Sequence, residues 1–255
     1  MLIDAHTHID LYGENESQAL EEIKTYEIFS IANSMDPDSY QHNLELAEGN
    51  ELILPIFGIH PLNAANWVDQ LSNLDWAFEK SPMYGEIGLD SRIAEDDAHW
   101  RAQTKVFQYF LEKAQALNKI LIVHSKGTEQ AVANIIEQYE LPPFIMHWYT
   151  GPLDMFREMA YKGAYFTIGV EILFSDHVKD IARELPLEQL LTETDNPMAK
   201  LTLPNIEGSP RIIIDVVSEL AAVKNTTVDR IIDAVHDNFK RLTQNDPQLT
   251  SMVPG

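Results

Sequence analysis

Ile120-Leu121-Ile122-Val123-His124 is a short apolar run that ends in a histidine. Phe144-Ile145-Met146-His147 has the same form, and Leu190-Leu191-Thr192-Glu193-Thr194-Asp195 ends in acids. Such β-rich runs recur along the chain, at 2–9, 27–33, 51–60, 83–89, 119–124, 143–148, 163–169 and 189–195. Amphipathic helical patterns separate them, over 17–25, 38–48, 64–80, 97–117, 128–139, 153–161 and 176–184. Ser209-Pro210 reads as an N-cap and first helical position, opening a helix to Lys224. Thr227 opens another, with Val228, Ile231, Ile232, Val235, Phe239 and Leu242 at helical spacing. The polar tail over 244–255 is expected to fray.

Strand–helix alternation of this kind fits a TIM-type (β/α)8 barrel, an α/β fold, with an extra C-terminal helix in one domain over 1–255. A doubly wound open sheet is the rival, and periodicity does not separate the two. The polar strand ends favour the barrel. A barrel gathers the C-terminal ends of all its strands around one mouth, whereas an open sheet spreads them along a line.

The chain has 255 residues, with 18 Lys and Arg against 40 Asp and Glu, for a net charge of −22. A protein that grips long duplex DNA through a broad surface needs the opposite sign, because phosphate neutralisation supplies most of the affinity. Cysteine is absent, which excludes disulfides, thiolate catalysis and Cys-based zinc sites, and suits a reducing compartment. Apolar stretches reach only about eight residues, far below the roughly 20 that span a bilayer. The N-terminus has neither a basic region nor a signal-type apolar core. These features give the expectation of a soluble cytoplasmic chain with no membrane partner, and nothing in them calls for more than a monomer.

In Asp4-Ala5-His6-Thr7-His8, the i and i+2 histidines of a strand aim to one side. Gly85-Glu86-Ile87-Gly88-Leu89-Asp90 puts Glu86 inside an apolar strand, where a carboxylate needs a cation or several donors. A lone histidine at a strand end is usually structural. His6, His8, His124 and His147 together with Glu86 and Asp195, all at or near strand ends, are hard to explain that way. Imidazole and carboxylate suit Zn, Mn, Fe, Ni or, with more oxygen, Mg. One tetrahedral catalytic ion uses three protein ligands, so six such residues point to two divalent ions. His42, His99, His177 and His236 fall in or beside helical patterns and read as structural or solvated.

Together with Gly58-Ile59-His60-Pro61, His124-Ser125, His147-Trp148-Tyr149-Thr150-Gly151 and Thr192-Glu193-Thr194-Asp195-Asn196-Pro197, these motifs resemble the TatD family of metal-dependent deoxyribonucleases, within the amidohydrolase-like barrels. The resemblance spans nearly the whole chain. It implies that His6, His8 and Asp195 hold one ion, His124 and His147 the second, and that Glu86 bridges them. It implies that His60 stands beside the ions and meets the substrate phosphate. Lys126 stands where the family often has Arg, so it can act as a point charge but not bidentately. Arg92, Lys126, Lys200 and Arg211 fall in strand-to-helix loops or just beyond them and are the candidate phosphate contacts.

The expected reaction is hydrolysis of a phosphodiester by a metal-activated water, with Asp195 as general base. A barrel mouth and an acidic surface favour nucleic acid strand ends or short single strands over intact duplex. The rival activity is ester or amide hydrolysis, as by an aminoacyl-tRNA deacylase. The non-enzymatic rival is a metal-stabilised subunit of a larger complex.

Overall fold

A computed structural model describes residues 1–203 and 205–252. The strands among them are β1 (Leu2–Thr7), β2 (Ile28–Asn33), β3 (Ile53–Ile56), β4 (Tyr84–Asp90), β5 (Leu121–Lys126), β6 (Ile145–Met146), β7 (Tyr165–Ile168) and β8 (Leu190–Thr192). The helices are α1 (Glu16–Thr25), α2 (Pro37–Leu46), α3 (Ala64–Trp67), α4 (Asp75–Lys80), α5 (Asp97–Leu117), α6 (Glu129–Ile136), α7 (Leu153–Tyr161), α8 (Asp176–Glu184), α9 (Met198–Thr202), α10 (Ile213–Val223), α11 (Val228–Thr243) and α12 (Pro247–Met252). β2, β4 and β5 are buried along their whole length, as strands covered on both faces must be.

The strands follow one another in chain order, all parallel, as a sheet β1-β2-β3 and a sheet β4-β5-β6-β7-β8. Two seams join the sheets into a TIM-type barrel. At one, Phe57 and Tyr84 form a single parallel bridge, and Gly85 N donates to Phe57 O at 2.9 Å. At the other, Asp195 N donates to His6 O and His8 N to Asn196 O, each at 2.9 Å. Thr192 Oγ1 adds a bond to Ile3 O at 2.5 Å. The first seam is so close that a Cβ on Gly58 would lie 2.3 Å from the Gly85 carbonyl carbon. Aromatic rings pack over it: Phe57 meets Phe78 at 5.1 Å and Phe78 meets Phe110 at 4.8 Å between centroids. Each such pair contributes about 0.5–1.5 kcal/mol beyond its buried area.

Local rules set the helix ends. Asp96 caps α5 by accepting His99 N at 2.8 Å, and Asn118 closes it in the left-handed region at φ 53°. Buried Val106, Phe107, Phe110, Leu111 and Ala114 give α5 its inward face. Thr227 caps α11 by accepting Arg230 N at 3.2 Å.

Two expectations need correction. The single helix over 64–80 is instead α3, a 3-10 turn at Leu71–Asn73, and α4. Turn bonds from Asn73 N to Gln70 O and Leu74 N to Leu71 O interrupt it, in a stretch whose Ser and Asn side chains disfavour helix interiors. The tail is not frayed over 247–252. Asp246 accepts from Gln248 N at 2.9 Å and Leu249 N at 3.1 Å, Pro247 starts α12, and Leu249 is wholly buried. Residues 253–255 lie outside the described residues. Among the described residues, no helix is long and apolar enough to cross a membrane.

Candidate metal centre

β1 delivers His6 and, one residue past its end, His8, both buried. Asp4 ties this strand to the end of β8, accepting Thr194 N at 2.9 Å and Thr194 Oγ1 at 2.6 Å. The chain then turns at Asp195, whose φ of 52° lies in the left-handed region, where Asp is among the residues tolerated. Glu86 comes from β4 and His124 from β5. His147 follows β6 directly. β4 and β5 approach so closely that a Cβ on Gly88, at φ 148°, would lie 2.0 Å from His124 O.

The donor atoms form two groups that share Glu86. Around Oε2 stand His6 Nε2 and His8 Nε2, each at 3.3 Å. Asp195 Oδ1 lies 3.3 Å from His6 Nε2 and 3.2 Å from His8 Nε2. Around Oε1 stand His124 Nδ1 at 2.5 Å, His147 Nε2 at 2.7 Å and His60 Nε2 at 3.6 Å. Glu86 therefore faces one histidine set with each oxygen.

This much buried charge stands only if the groups compensate one another. Burial alone would raise the Glu86 and Asp195 carboxyls, but the surrounding imidazoles hold both well below the usual range. Burial likewise pulls His6 down, yet Glu86 and Asp195 outweigh it and leave His6 raised to about 9. His8 is raised on the same balance, and His124 is raised against burial by Glu86 and Asp90. His60 goes the other way. Burial pushes it down to about 3, with the neighbouring histidines adding to the shift.

The donor set fits divalent cations. Among the described residues, the ion-pair partners of Glu86 and Asp195 are all histidines, and no Lys or Arg reaches either carboxylate. Ligating atoms of His6, His8 and Asp195 lie within 4.8 Å of one another, as do those of His60, Glu86 and His124, and those of His6, Glu86 and His147, which link the two sets through Glu86. Buried imidazoles and carboxylates converging with no basic side chain between them form a site that a metal ion completes.

The comparisons agree with that chemistry. The family model described as TatD related DNase matches residues 3–244. The chain belongs to this family. An uncharacterized metal-dependent hydrolase, MJ1582, of Methanocaldococcus jannaschii is 27% identical over 250 residues, covering 94% of this chain and 97% of the relative. A human protein named Deoxyribonuclease TATDN3 is 25% identical over 258 residues, covering 94% of each chain. The crystal structure of YJJV, a TatD homolog from Escherichia coli, superposes with a TM-score of 0.82 at 25% identity, covering 94% of this chain and 97% of that one. The protein is thus a TatD-family metal-dependent hydrolase.

In this TatD chain the fold brings together His6, His8, His60, Glu86, His124, His147 and Asp195. His60 has two contacts at once. Its Nδ1 accepts Leu62 N at 3.0 Å, capping the 3-10 turn Pro61–Asn63, while its Nε2 faces Glu86. Lys126 is buried beside the centre, with Nζ bonded to Trp148 O and 4.7 Å from the Trp148 ring centroid. Burial lowers its pKa, against the pull of Glu193, Asp195 and Glu171. Arg92 follows β4 on the surface, near enough to Lys126 to disfavour its charge.

The Arg211 guanidinium grips Glu207 bidentately at 3.0 and 2.8 Å in an exposed pair. Three of the four histidines read as structural or solvated have partners of their own: Glu16 for His42, Pro61 O for His99 and Gly151 O for His177.

Sequence reasoning gave no role to Asp90, Glu193 or Asn33. Asp90 Oδ2 lies 3.0 Å from His124 Nε2, Glu193 Oε2 lies 3.4 Å from His147 Nδ1, and the Asn33 carbonyl lies 3.0 Å from His8 Nδ1. Glu193 is as buried as Glu86, and that burial was the available signal: both sit in motifs otherwise apolar or hydroxylic.

Proposed function

We propose that this TatD-family hydrolase cleaves phosphodiester bonds in DNA, as an exonuclease on strand ends or short single strands, with two divalent ions in the centre described above. The observation that carries the reading is the division of Glu86, with Oε2 toward His6 and His8 and Oε1 toward His124 and His147. His6, His8, Asp195 and Glu86 would hold one ion, and His124, His147 and Glu86 the other. Zn, Mg, Mn, Ni and Fe all suit such ligands. Divalent ions there supply Lewis acidity, polarising a phosphoryl oxygen and bringing the pKa of water toward neutrality.

The chain's own groups do the rest. Oδ1 of Asp195 is shared by His6 and His8, which leaves its other oxygen to accept a proton from the attacking water. His60 is neutral and carries its proton on Nε2, because Nδ1 accepts from Leu62. It can donate to a phosphate oxygen on which charge accumulates. Lys126 supplies a positive charge at the mouth of a chain with few cations. The similarity to the human deoxyribonuclease supports DNA as the substrate, and the net charge of −22 supports ends over duplex grooves.

The test is incubation of the metal-loaded protein with end-labelled single strands, 5′- or 3′-blocked, beside an aminoacyl ester. Stepwise shortening from one unblocked end is expected. Ester cleavage without DNA shortening assigns the site to carbonyl chemistry and ends the nuclease reading. Absence of turnover with every metal, alongside tight capture of a protein partner, ends the enzymatic one.

A further inference from the structure

The two histidine sets are supported differently from behind. His124 stands between two carboxylates, with Nδ1 2.5 Å from Glu86 Oε1 and Nε2 3.0 Å from Asp90 Oδ2. His147 is turned the same way, with Nε2 2.7 Å from Glu86 Oε1 and Nδ1 3.4 Å from Glu193 Oε2, an ion-pair distance across which no hydrogen bond closes. Among the described residues, no outer carboxylate serves the other set. His8 Nδ1 backs onto the Asn33 carbonyl at 3.0 Å, and His6 Nδ1 is buried with neither a hydrogen-bond partner nor a carboxylate in ion-pair reach.

The outer carboxylates are themselves pinned. Arg92 N donates to Asp90 Oδ1 at 2.7 Å, and Trp148 N donates to Glu193 Oε1 at 2.8 Å. Gln103 on α5 holds the backbone of Asp90 from both sides, accepting Asp90 N at 2.9 Å and donating to Asp90 O at 3.2 Å. In each case one carboxylate oxygen is claimed by a backbone amide and the other is left for the imidazole.

We propose that Asp90 and Glu193 are positioning residues that fix the tautomers of His124 and His147, so that each ring turns a lone pair toward Glu86 Oε1 and the second ion. This rests on the two-ion reading given above. An ionised carboxylate can only accept, so the ring nitrogen facing it carries the proton and the opposite nitrogen is free to ligate. The two rings use opposite nitrogens, and the two carboxylates sit on the matching opposite sides.

The pinned oxygens give this arrangement a distinctive signature. In Asp90→Asn or Glu193→Gln, the single remaining oxygen is held by the Arg92 or Trp148 amide. The new NH2 group then faces the imidazole and donates to it. The ring proton is forced onto the nitrogen that points at the ion, and the ligand is lost. Alanine at either position leaves the ring free to choose its tautomer. The isosteric variant is therefore worse for the second ion than the deletion. A residue that only packs gives the reverse order, because alanine leaves a cavity and the amide does not.

The experiment is calorimetric titration of the metal-free full-length protein with Zn2+, with thermal melting of each variant to establish folding. The wild type is expected to take up two ions. Asp90→Asn and Glu193→Gln should keep one and weaken the other beyond the roughly 10–100-fold typical of losing an outer partner. Asp90→Ala and Glu193→Ala should keep both, with the second weakened within that range. The pairs lie on different segments of chain, so one decides if a member of the other does not fold. Two ions at wild-type affinity in both amide variants, or weaker binding by alanine than by the amide, overturns the proposal. A wild type that binds a single ion overturns the two-ion reading, and the positioning role falls with it.

Discussion

His60 accepts the amide hydrogen of Leu62 on Nδ1 at 3.0 Å, and this one contact fixes which ring nitrogen bears the proton. With burial pushing the group down to about 3, the ring stays neutral through the neutral range and presents Nε2–H toward Glu86. His60→Ala should lower kcat by about 10²–10³, the cost of one removed transition-state donor. Metal content should not change. In the wild type, nitrogen NMR should show no His60 titration around neutral pH. A ring that titrates there would contradict the neutral-donor role.

Protons and metal ions compete for the same nitrogens. His6, raised to about 9 by Glu86 and Asp195 against the effect of burial, is protonated at neutral pH in the metal-free chain. The incoming ion must displace that proton. Affinity should therefore rise with pH until about 9 and fall on acidification. Calorimetry in buffers of different ionisation enthalpy reads the proton count. Heats independent of buffer would mean that His6 binds metal without releasing a proton.

Much of this centre was legible because it is written locally. A histidine or acid closing an apolar run is visible in one strand, and parallel order then brings the ends of β1, β4, β5 and β8 to one mouth. What escaped was pairwise and long-range. Asp90 and His124 are 34 residues apart in sequence, and nothing in either motif states which nitrogen the carboxylate will face. The Arg211–Glu207 pair escaped too, because a cation near a loop does not say which carboxylate, here four residues back, it will meet. The helix expected over 64–80 broke where side-chain and turn hydrogen bonds competed with helix bonds, a balance that apolar spacing does not report.

Lys126 and Arg211 should separate cleanly in kinetics. Lys126→Ala should raise KM more than it lowers kcat and should flatten the salt dependence of substrate binding, because a charge beside the centre is removed. Arg211→Ala removes an exposed pair with Glu207 and should leave both constants unchanged. Equal effects from the two variants would show that Lys126 acts only through overall charge.

Asp195→Asn keeps the side-chain shape, one coordinating oxygen and a residue type suited to the left-handed turn at φ 52°. It cannot accept a proton comparably. The variant should fold, keep at least one ion and bind substrate, while kcat falls by about 10²–10⁴. Near wild-type turnover with metal present would require another base.

The centre stands or falls on Glu86, whose two oxygens face the two histidine sets at 3.3 Å on one side and 2.5–2.7 Å on the other. The most direct measurement is metal stoichiometry and affinity of Glu86→Ala beside the wild type, by elemental analysis and calorimetric titration of folded protein. Two ions in the wild type and weakened binding of both in the variant, by more than the roughly 10–100-fold of an outer-partner loss, is the expected result. Two ions held by Glu86→Ala at wild-type affinity would contradict the bridge.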